Sequence, residues 1–459
     1  MLVKPKGCHD LYGSEAKKWQ YLNKVIETLM EKYNYQYIRT PIFESSEVFH
    51  RGIGDSTDVV RKETYDFKDR GDRTMTLRPE GTAGVVRSYI ENKMYADSAI
   101  SKLYYNGTMY RYERPQSGRD REFTQFGVEV LGSDSPYVDA EVISIGVNLL
   151  KLLGLKEIKV NINTLGDSKS REKYRDSLVE YFRPHLDELC EDCKERFKTN
   201  PLRILDCKVD KDNEILKNAP RTIDHLNEES RVRFEKVKLY LQELEVDYEV
   251  NTSLVRGLDY YNHTVFEIEA KVEGFGSNNV LGGGGRYNGL VKLLGGPDTC
   301  GMGFAMGLGR LIQAIDLEEV KLPIEDELEV FVMAVSETER MYALSLVQSL
   351  RMNGFRVDMD YNDKSLKGQF KIADRYNSKY YLFLNDEDLQ KDEVKIKNSK
   401  TKEEVVIQVD YLMYYLDEML QDDDYDSCDC GCDHDDHECN CHGEDHDCDD
   451  DHECHCHKH

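Results

Sequence analysis

Charged side chains in residues 106–123 could hold an anionic ligand. This segment predicts a strand that carries Arg111 and Glu113, a polar loop, and a returning strand that begins near Phe123. A guanidinium group is planar and permanently charged, and it presents a fork of donors to oxygen atoms. Arg111 therefore suits an oxygen-rich, negatively charged reaction centre. The alternative is a surface hairpin whose charges are solvated.

A second segment, residues 76–82, carries a carboxylate that could pair with a positively charged group. Glu80 lies between Pro79 and Gly81 in this segment. A buried carboxylate opposite an ammonium is the usual way to fix that group. A simple Pro-Glu-Gly turn is the alternative interpretation.

Two glycine- or tyrosine-rich segments complete the set. Residues 254–267 contain Arg256 and two adjacent tyrosines. This combination of charged and aromatic side chains is unusual for a plain aromatic core strand. Residues 282–289 begin with four glycines, which allow a close backbone approach. A glycine run by itself also occurs in ordinary loops.

The elements that must position these segments predict a mixed α+β domain. Residues 14–33 predict an amphipathic helix, because their apolar residues fall on one face at helical spacing. An extended piece follows at residues 37–43, and strand patterns occur at residues 74–77, 102–112, 123–131 and 157–164. Strands in runs, with helices between some of them, indicate an antiparallel sheet flanked by helices.

Residues 167–250 are charged and helical in pattern, and we interpret them as a helical insertion. The insertion contains Cys190-x-x-Cys193 and Cys207, which is partial zinc spacing. No fourth ligand is obvious, so the favoured interpretation is three plain thiols.

The region after the charged stretch 318–327 predicts a small α/β domain. A strand at 328–335 is followed by a capping box, formed by Ser336 and Glu339, that opens a helix ending near Gly354. A strand, a helix and a strand follow at 355–359, 365–377 and 379–384. We therefore expect domains at 1–325 and 326–421, followed by a tail at 422–459.

Net charge is unevenly distributed along the chain. The total is -27, of which the tail from Asp422 to His459 holds -15, so the body holds -12. An acidic body argues against a nucleic-acid binder coated in positive charge, but it allows a local basic patch. No apolar run of about 18 residues or secretory signal is visible, so we expect no membrane span and a cytoplasmic location.

The tail is rich in metal ligands. Its 38 residues hold eight cysteines, eight histidines and 16 carboxylates. Thiolates and imidazoles suit Zn²⁺, Ni²⁺ or Co²⁺, whereas a solvated acidic tail is the alternative. The candidate ligands are Cys428, Cys430, Cys432, Cys439, Cys441, His442, Cys454, Cys456 and His457. With so few apolar residues, we expect the tail to be disordered without metal and dispensable for catalysis.

The segments described above resemble those of the histidyl-tRNA synthetases, a family of class II aminoacyl-tRNA synthetases. Residues 106–123 are similar to motif 2, 254–267 and 282–289 to two histidine-specific segments, and 301–311 to motif 3. Motif 1, the dimer element, is the weakest match. Gly309 departs from the family, which usually has Glu there, and this puts the orientation of Arg310 in doubt.

The resemblance implies a fold and a set of site residues. The fold would be a class II antiparallel catalytic sheet with a helical insertion, followed by an α/β anticodon-binding domain. Implied histidine-binding residues are Glu80, Gly81, Thr82, Arg111, Gln125, Glu129, Arg256, Tyr260 and Tyr261. Implied ATP-binding residues are Arg111, Glu113, Arg121 and Arg310, and the implied catalytic charges are Arg111, Arg256 and Arg310.

The resemblance also implies a reaction and its partners. L-histidine would react with ATP, with Mg²⁺ on the phosphates, to give histidyl-adenylate, and the histidine would then pass to tRNA(His). The enzyme would be a homodimer. The competing hypothesis is a synthetase-like regulatory subunit of ATP phosphoribosyltransferase. Those paralogues typically lack the anticodon domain and lose active-site residues, whereas Glu80, Arg111, Glu129, Arg256 and Arg310 are present here.

Overall fold

The computed structural model describes residues 2–54, 57–114, 118–207, 209–210, 212–258, 260–275, 279–324 and 327–425. The chain divides into two compact units, residues 1–324 and 325–459. The proposed metal ligands of the tail, Cys428 to His457, and its expected disorder lie outside the described residues.

The first unit is a mixed α+β structure. Its strands are β1 (Gln36–Tyr37), β2 (Phe43–Ser45), β3 (Tyr65–Lys68), β4 (Thr74–Leu77), β5 (Ser101–Tyr110), β6 (Glu122–Leu131), β7 (Ile158–Thr164), β8 (Tyr248–Val250), β9 (Asn262–Ala270), β10 (Val280–Arg286) and β11 (Gly301–Gly307). Its helices are α1 (Gly13–Lys32), α2 (Ser46–Ile53), α3 (Asp58–Lys62), α4 (Thr82–Glu91), α5 (Met94–Asp97), α6 (Pro136–Leu152), α7 (Ser168–Phe182), α8 (Glu191–Thr199), α9 (Glu214–Lys217), α10 (Glu228–Glu243), α11 (Leu290–Leu293) and α12 (Leu308–Leu317). Three short 3-10 helices lie at Arg183–Glu188, Pro201–Asp206 and Thr222–His225.

Eight of these strands form one sheet in the order β1-β5-β6-β11-β10-β9-β7-β8. The pairs are antiparallel except β1–β5 and β7–β8, which are parallel at the two edges. β5 and β6 pair along ten residues each, from Ser101–Leu131 to Tyr110–Glu122. The predicted antiparallel sheet is therefore confirmed, and the polar loop after Arg111 connects its longest hairpin.

Helices cover the apolar side of this sheet. The α1 residues Leu22, Ile26, Leu29 and Met30 are buried at helical spacing and join the main core cluster with α6 and α10. The predicted helix at 14–33 is thus confirmed to within one residue of each end.

The segment 37–43, which we expect to be extended, connects two sheets. Its two ends belong to different sheets: Tyr37 ends β1, and Phe43 begins β2 in the small sheet β2-β4-β3. The segment between them crosses from one sheet to the other, and it contains Pro41, which cannot donate a ladder hydrogen bond.

The expected insertion is largely helical, from α7 to α10. Its last three residues differ from the expectation, because they form β8 and pair in parallel with β7. The inner part of the insertion has its own core, in which Tyr174, Leu178, Phe182 and Ile204 are buried.

The second unit is a small α/β structure. Its strands are β12 (Val330–Met333), β13 (Val357–Met359), β14 (Tyr380–Phe383), β15 (Glu393–Asn398) and β16 (Glu404–Gln408), and its helices are α13 (Glu337–Met352), α14 (Leu366–Arg375), α15 (Asp386–Leu389) and α16 (Leu412–Tyr425). The sheet order is β13-β12-β14-β15-β16. β12 is parallel to both of its neighbours, whereas β15 and β16 are antiparallel.

The predicted capping box of α13 is confirmed. Ser336 accepts from the Glu339 amide at 3.1 Å, and the Glu339 carboxylate accepts from the Ser336 amide at 2.8 Å. Among the helices described, none is both long and apolar enough to cross a membrane.

Candidate active site

A cavity of about 570 Å³ opens over the middle of the large sheet. Its wall includes Arg111, Glu113, Gln125, Arg256 and Arg310. The structure thus brings together side chains from four separate parts of the sequence. They converge because β5, β6, β11 and β10 are consecutive neighbours in the sheet.

Arg111 follows the last residue of β5 and points its donors toward the cavity side of the 76–82 segment. Its Nε donates to the carbonyl oxygen of Pro79 at 2.9 Å, and its guanidinium lies 5.3 Å from the Phe123 ring centroid. These two contacts hold the guanidinium group of Arg111 in place at the cavity wall.

Arg256 lies across the glycine-rich strand β10. A Cβ atom at Gly283 would fall 2.8 Å from Arg256 Nη1, so only glycine leaves room for this side chain. Arg256 forms an ion pair with Glu267. Burial alone would lower the pKa of Arg256, but the charge of Glu267 and the nearby Tyr261 raise it overall, so the group stays charged.

Two buried polar atoms beside the cavity have no protein hydrogen-bond partner among the described residues. They are Arg256 Nε and Gln125 Oε1. Buried polar groups are nearly always paired in proteins. An unpaired donor and an unpaired acceptor at a cavity wall therefore indicate a polar ligand.

Arg310 is directed into the same cavity despite the departure at Gly309. Its Nε donates to the Val280 carbonyl oxygen at 3.1 Å, and its guanidinium lies 4.6 Å from the Phe275 ring centroid. A Cβ at Gly309 would meet nothing within 4 Å, so no close contact requires glycine there. The orientation of Arg310 thus has supports that do not involve residue 309.

Glu129 lies four residues along β6 from Gln125, on the same face and fully within the core. Thr82 Oγ1 donates to one of its oxygens at 2.6 Å, and the Tyr287 hydroxyl donates to the other at 2.5 Å. A Cβ at Gly303 on the neighbouring strand would fall 2.0 Å from Glu129 Oε2. Residue 303 is therefore required to be glycine, because a larger side chain would clash with this carboxylate.

Burial raises the pKa of Glu129 to about 8, against the opposing effect of the Thr82 and Tyr287 hydrogen bonds. The nearby carboxylate of Glu80 raises it further. A carboxyl group with such a pKa changes its protonation state near neutral pH. Its protonation state decides whether it donates a hydrogen bond to an imidazole nitrogen or accepts one from an imidazole N–H.

Glu80 is held at the beginning of α4. Its two oxygens accept from the amides of Thr82 at 2.7 Å and Ala83 at 2.8 Å. Burial raises its pKa, while those amide bonds and the charge of Arg111 lower it in part. Gly81 must be small here, because a Cβ would fall 2.2 Å from the Tyr105 ring.

The remaining predicted residues divide into two groups. Tyr260 and Tyr261 are buried, with ring centroids 4.6 Å apart, and Tyr260 also contacts the Tyr287 ring at 5.8 Å. Neither these tyrosines nor Arg121 is among the described residues that line the cavity, and Arg121 makes a different contact. It stacks on Tyr112, with its guanidinium 4.1 Å from the ring centroid.

Two site residues were not singled out from the sequence. Tyr287 and Glu267 lay within the segments considered, but nothing in their spacing revealed that they pair with Glu129 and Arg256. Arg286, beside Tyr287, forms a fully buried ion pair with Asp139 and is thereby occupied in the core.

The structure adds a possible fourth ligand to Cys190, Cys193 and Cys207, for which the sequence showed no obvious one. Asp210 joins them, and the ligand atoms of the four residues lie within 4.8 Å of one another. The missed pattern is a repeat of spacing, because Cys207-x-x-Asp210 has the same spacing as Cys190-x-x-Cys193.

Two known protein families match the chain. The family described as histidyl-tRNA synthetase matches residues 7–311, and the family described as anticodon binding domain matches residues 329–419. A histidine–tRNA ligase of Anoxybacillus flavithermus is 49% identical over 418 residues, which make up 91% of this chain and 99% of that protein.

Two solved structures resemble the chain. The apo histidyl-tRNA synthetase of S. aureus is 42% identical, with a TM-score of 0.79, and the match covers 91% of this chain and all 100% of that one. A Bacillus halodurans protein, described as an ATP phosphoribosyltransferase regulatory subunit/histidyl-tRNA synthetase, is 21% identical with a TM-score of 0.61, covers 84% and 99%, and shares the fold. From the matched segments and from relatives that align almost from end to end, the chain belongs to the histidyl-tRNA synthetase family.

Proposed function

We propose that this protein is a histidine–tRNA ligase. The carboxylate of L-histidine attacks the α-phosphorus of ATP, diphosphate leaves, and histidyl-adenylate forms. A hydroxyl group of the terminal ribose of tRNA(His) then attacks the acyl carbon, and AMP leaves. The observation that carries this proposal is the buried network of Thr82, Glu129 and Tyr287 beside a cavity walled by three arginines.

The network supports recognition of an imidazole. Glu129 already accepts two hydrogen bonds, and a carboxylate has further lone pairs for a ring N–H. A buried acceptor disfavours substrate side chains that lack a hydrogen-bond donor, because the acceptor would then be left unpaired. Gln125 in the cavity wall and the buried Glu80 would supply acceptors for the α-ammonium group.

The arginines support the chemical step. Negative charge builds up on the oxygens around the α-phosphorus as diphosphate leaves, and fixed positive groups stabilise it without rearranging. Arg111 and Arg256 face the reacting carboxylate and α-phosphate in this proposal, and Arg310 lies against the nucleotide. Glu113 and Arg121 complete the proposed ATP contacts. No general base is required, because positioning and charge account for the step.

Mg²⁺ fits the donors available at the cavity. It is commonly held by one or two carboxylates together with substrate phosphates. Glu113 and Glu122 both line the cavity and offer carboxylate oxygens. When bound, the ion would neutralise charge on the ATP phosphates.

The second unit supports the transfer step rather than the regulatory alternative. Its match to the anticodon-binding family spans residues 329–419, and the proposed regulatory paralogues typically lack that domain. We therefore include tRNA(His) among the partners. A homodimer and a cytoplasmic location are also part of the proposal, and both rest on the family resemblance.

Histidine-dependent exchange between ATP and labelled diphosphate tests the activation step. Arg256→Ala should lower the exchange rate about 10²–10³-fold, because it removes a charge that acts in the transition state. Arg256→Lys keeps the charge opposite Glu267 but not the planar fork, and it should also be strongly impaired.

Arg351→Ala is the matched control. Arg351 pairs with Asp358 in the second unit and should be unnecessary for exchange. Exchange that depends on an amino acid other than histidine, or a folded protein without any exchange, would refute the proposed function.

A further inference from the structure

The helical insertion contains a cluster of four side chains that the proposed reaction does not use. Cys190 is the N-cap residue of α8, and Cys193 lies fully buried in the first turn of that helix. Cys207 follows the 3-10 helix Pro201–Asp206, and Asp210 comes three residues later. Two turns distant in sequence therefore meet at one point inside the insertion.

The two turns have the same local hydrogen bonding. In each, the backbone N–H of the last residue donates to the sulfur of the first: Cys193 to Cys190, and Asp210 to Cys207 at 3.4 Å. The Cys190 amide also donates to Asp210 Oδ2 at 3.0 Å, which ties the turns together. Donors aimed at sulfur stabilise a thiolate and orient it, as they do around bound metals.

The distances suit a tetrahedral metal site and do not suit a disulfide. The sulfurs of Cys190 and Cys207 are 3.6 Å apart, whereas a disulfide requires about 2.05 Å. Bond lengths of about 2.3 Å from zinc to sulfur place two sulfurs of a tetrahedron about 3.8 Å apart. Cys207 Sγ and Asp210 Oδ2 are likewise 3.6 Å apart, close to the roughly 3.5 Å that tetrahedral zinc would give for a sulfur and an oxygen.

The surroundings explain why a metal would matter here. The inner core of the insertion is small, and Cys193 and Cys207 are part of it. A bound cation would replace the thiol protons and crosslink α8 to the segment after residue 206.

We propose that Cys190, Cys193, Cys207 and Asp210 form a structural zinc site in the insertion. All four tetrahedral positions are filled by protein, which is typical of structural rather than catalytic zinc. Three soft sulfur ligands favour zinc over Mg²⁺ or Ca²⁺. The site is separate from the cavity that carries the proposed reaction, so it would stabilise the insertion and leave the chemistry to other residues.

Hydrogen exchange followed by mass spectrometry on the full chain tests this proposal, because it localises the effect of zinc. Zn²⁺ added to protein stripped with a chelator should slow amide exchange in residues 188–212 at least about tenfold. Asp210→Asn, which retains size but removes the anionic ligand, should require about tenfold or more free zinc for the same protection. Cys193→Ser should abolish the protection.

Two controls separate this site from other thiols. A tail variant with Cys428, Cys430 and Cys432 changed to serine should bind less zinc in total but show the same protection of residues 188–212. Cys300→Ser should behave as the unchanged chain. The proposal is overturned if zinc leaves exchange in 188–212 unaltered, or protects it equally in Asp210→Asn and Cys193→Ser.

Discussion

Glu129 is the residue whose protonation state most directly affects the proposed histidine pocket. Its pKa of about 8 lies far above the ordinary value of 4.5, because it is buried and because Glu80 is near. A raised carboxyl pKa means that the folded protein holds a proton which the unfolded chain has released. The contribution of Glu129 to stability is therefore present below pH 4.5 and is lost as the pH rises through about 8.

The same shift predicts a pH dependence of histidine binding. The ionised carboxylate is the better acceptor for an imidazole N–H, so the KM for histidine in the exchange reaction should fall severalfold between about pH 7 and pH 8.5. Glu129→Gln, which does not titrate, should have a higher KM and lack this part of the dependence.

Glu249→Gln serves as the control for this experiment, because Glu249 is an exposed carboxylate on β8 that pairs with Lys159. It should reproduce the pH profile of the unchanged chain. An identical profile in Glu129→Gln would show that some other group sets the pH dependence.

At the scale of elements, the start of α13 offers a matched pair of serines. Ser336 caps α13 through its side chain, whereas Ser365, at the N-cap of α14, makes no side-chain capping bond. Loss of such a bond costs about 1 kcal/mol. Ser336→Ala should therefore speed amide exchange in Glu337–Met352 about fivefold, and Ser365→Ala should have a much smaller effect on α14.

Amide hydrogen exchange rates measured in α13 and α14 test whether the side-chain capping bond of Ser336 stabilises its helix. Equal effects of the two substitutions would mean that serine stabilises these helices by some means other than its side-chain hydrogen bond. Histidine-dependent exchange of diphosphate should be unchanged in both variants, because the substitutions lie in the second unit.

Elements with a strong local pattern were predictable from the sequence. The helix α1 has apolar residues at helical spacing, and α13 has its capping box, and both appear where expected. The hairpin β5–β6 was also foreseen, with its ends shifted by one or two residues. In each case the information lies within about twenty neighbouring residues, which is the range over which periodicity and caps act.

Features that depend on partners distant in the sequence were not predictable. The strands β15 and β16 and the helix α16 were not foreseen individually, although Val394 and Ile396 alternate as buried residues of β15. The bond from Tyr287 to Glu129 likewise results from tertiary folding. For Asp210 the repeated spacing was the only signal in the sequence, and its contact with the three cysteines also depends on tertiary folding. An acidic or aromatic residue in a charged chain gives no local indication of what it will meet.

At the scale of the whole molecule, negative charge and potential metal ligands are concentrated in the last 38 residues of the sequence, 422–459. Both family matches end by residue 419, and the aligned part of the A. flavithermus relative takes up 99% of its length. The cysteines and histidines after Tyr425 are thus additional to the parts that carry the proposed activity. Their acidic neighbours repel the phosphates of any tRNA that approaches.

Deletion of residues 426–459 tests this division of roles. It removes thirteen carboxylates and one lysine, and takes the net charge from -27 to -15. Histidine-dependent exchange should stay within about twofold of the full chain, since small-molecule activation does not involve the tail. At low salt, the deletion should lower the KM for tRNA relative to that of the full chain. The difference between the two KM values should shrink at higher salt, because salt screens the charges.

Metal-binding measurements distinguish the effect of the tail cysteines from that of the tail carboxylates. The full chain should bind several Zn²⁺, Ni²⁺ or Co²⁺ ions, whereas the deleted chain should retain about one zinc, held by the four ligands of the insertion. A full-length variant with all eight tail cysteines changed to serine keeps the charge and should keep the higher KM for tRNA while losing most of the metal. If that variant instead matched the deletion in tRNA charging, the cysteines rather than the carboxylates would be what affects tRNA, and the electrostatic explanation would fail.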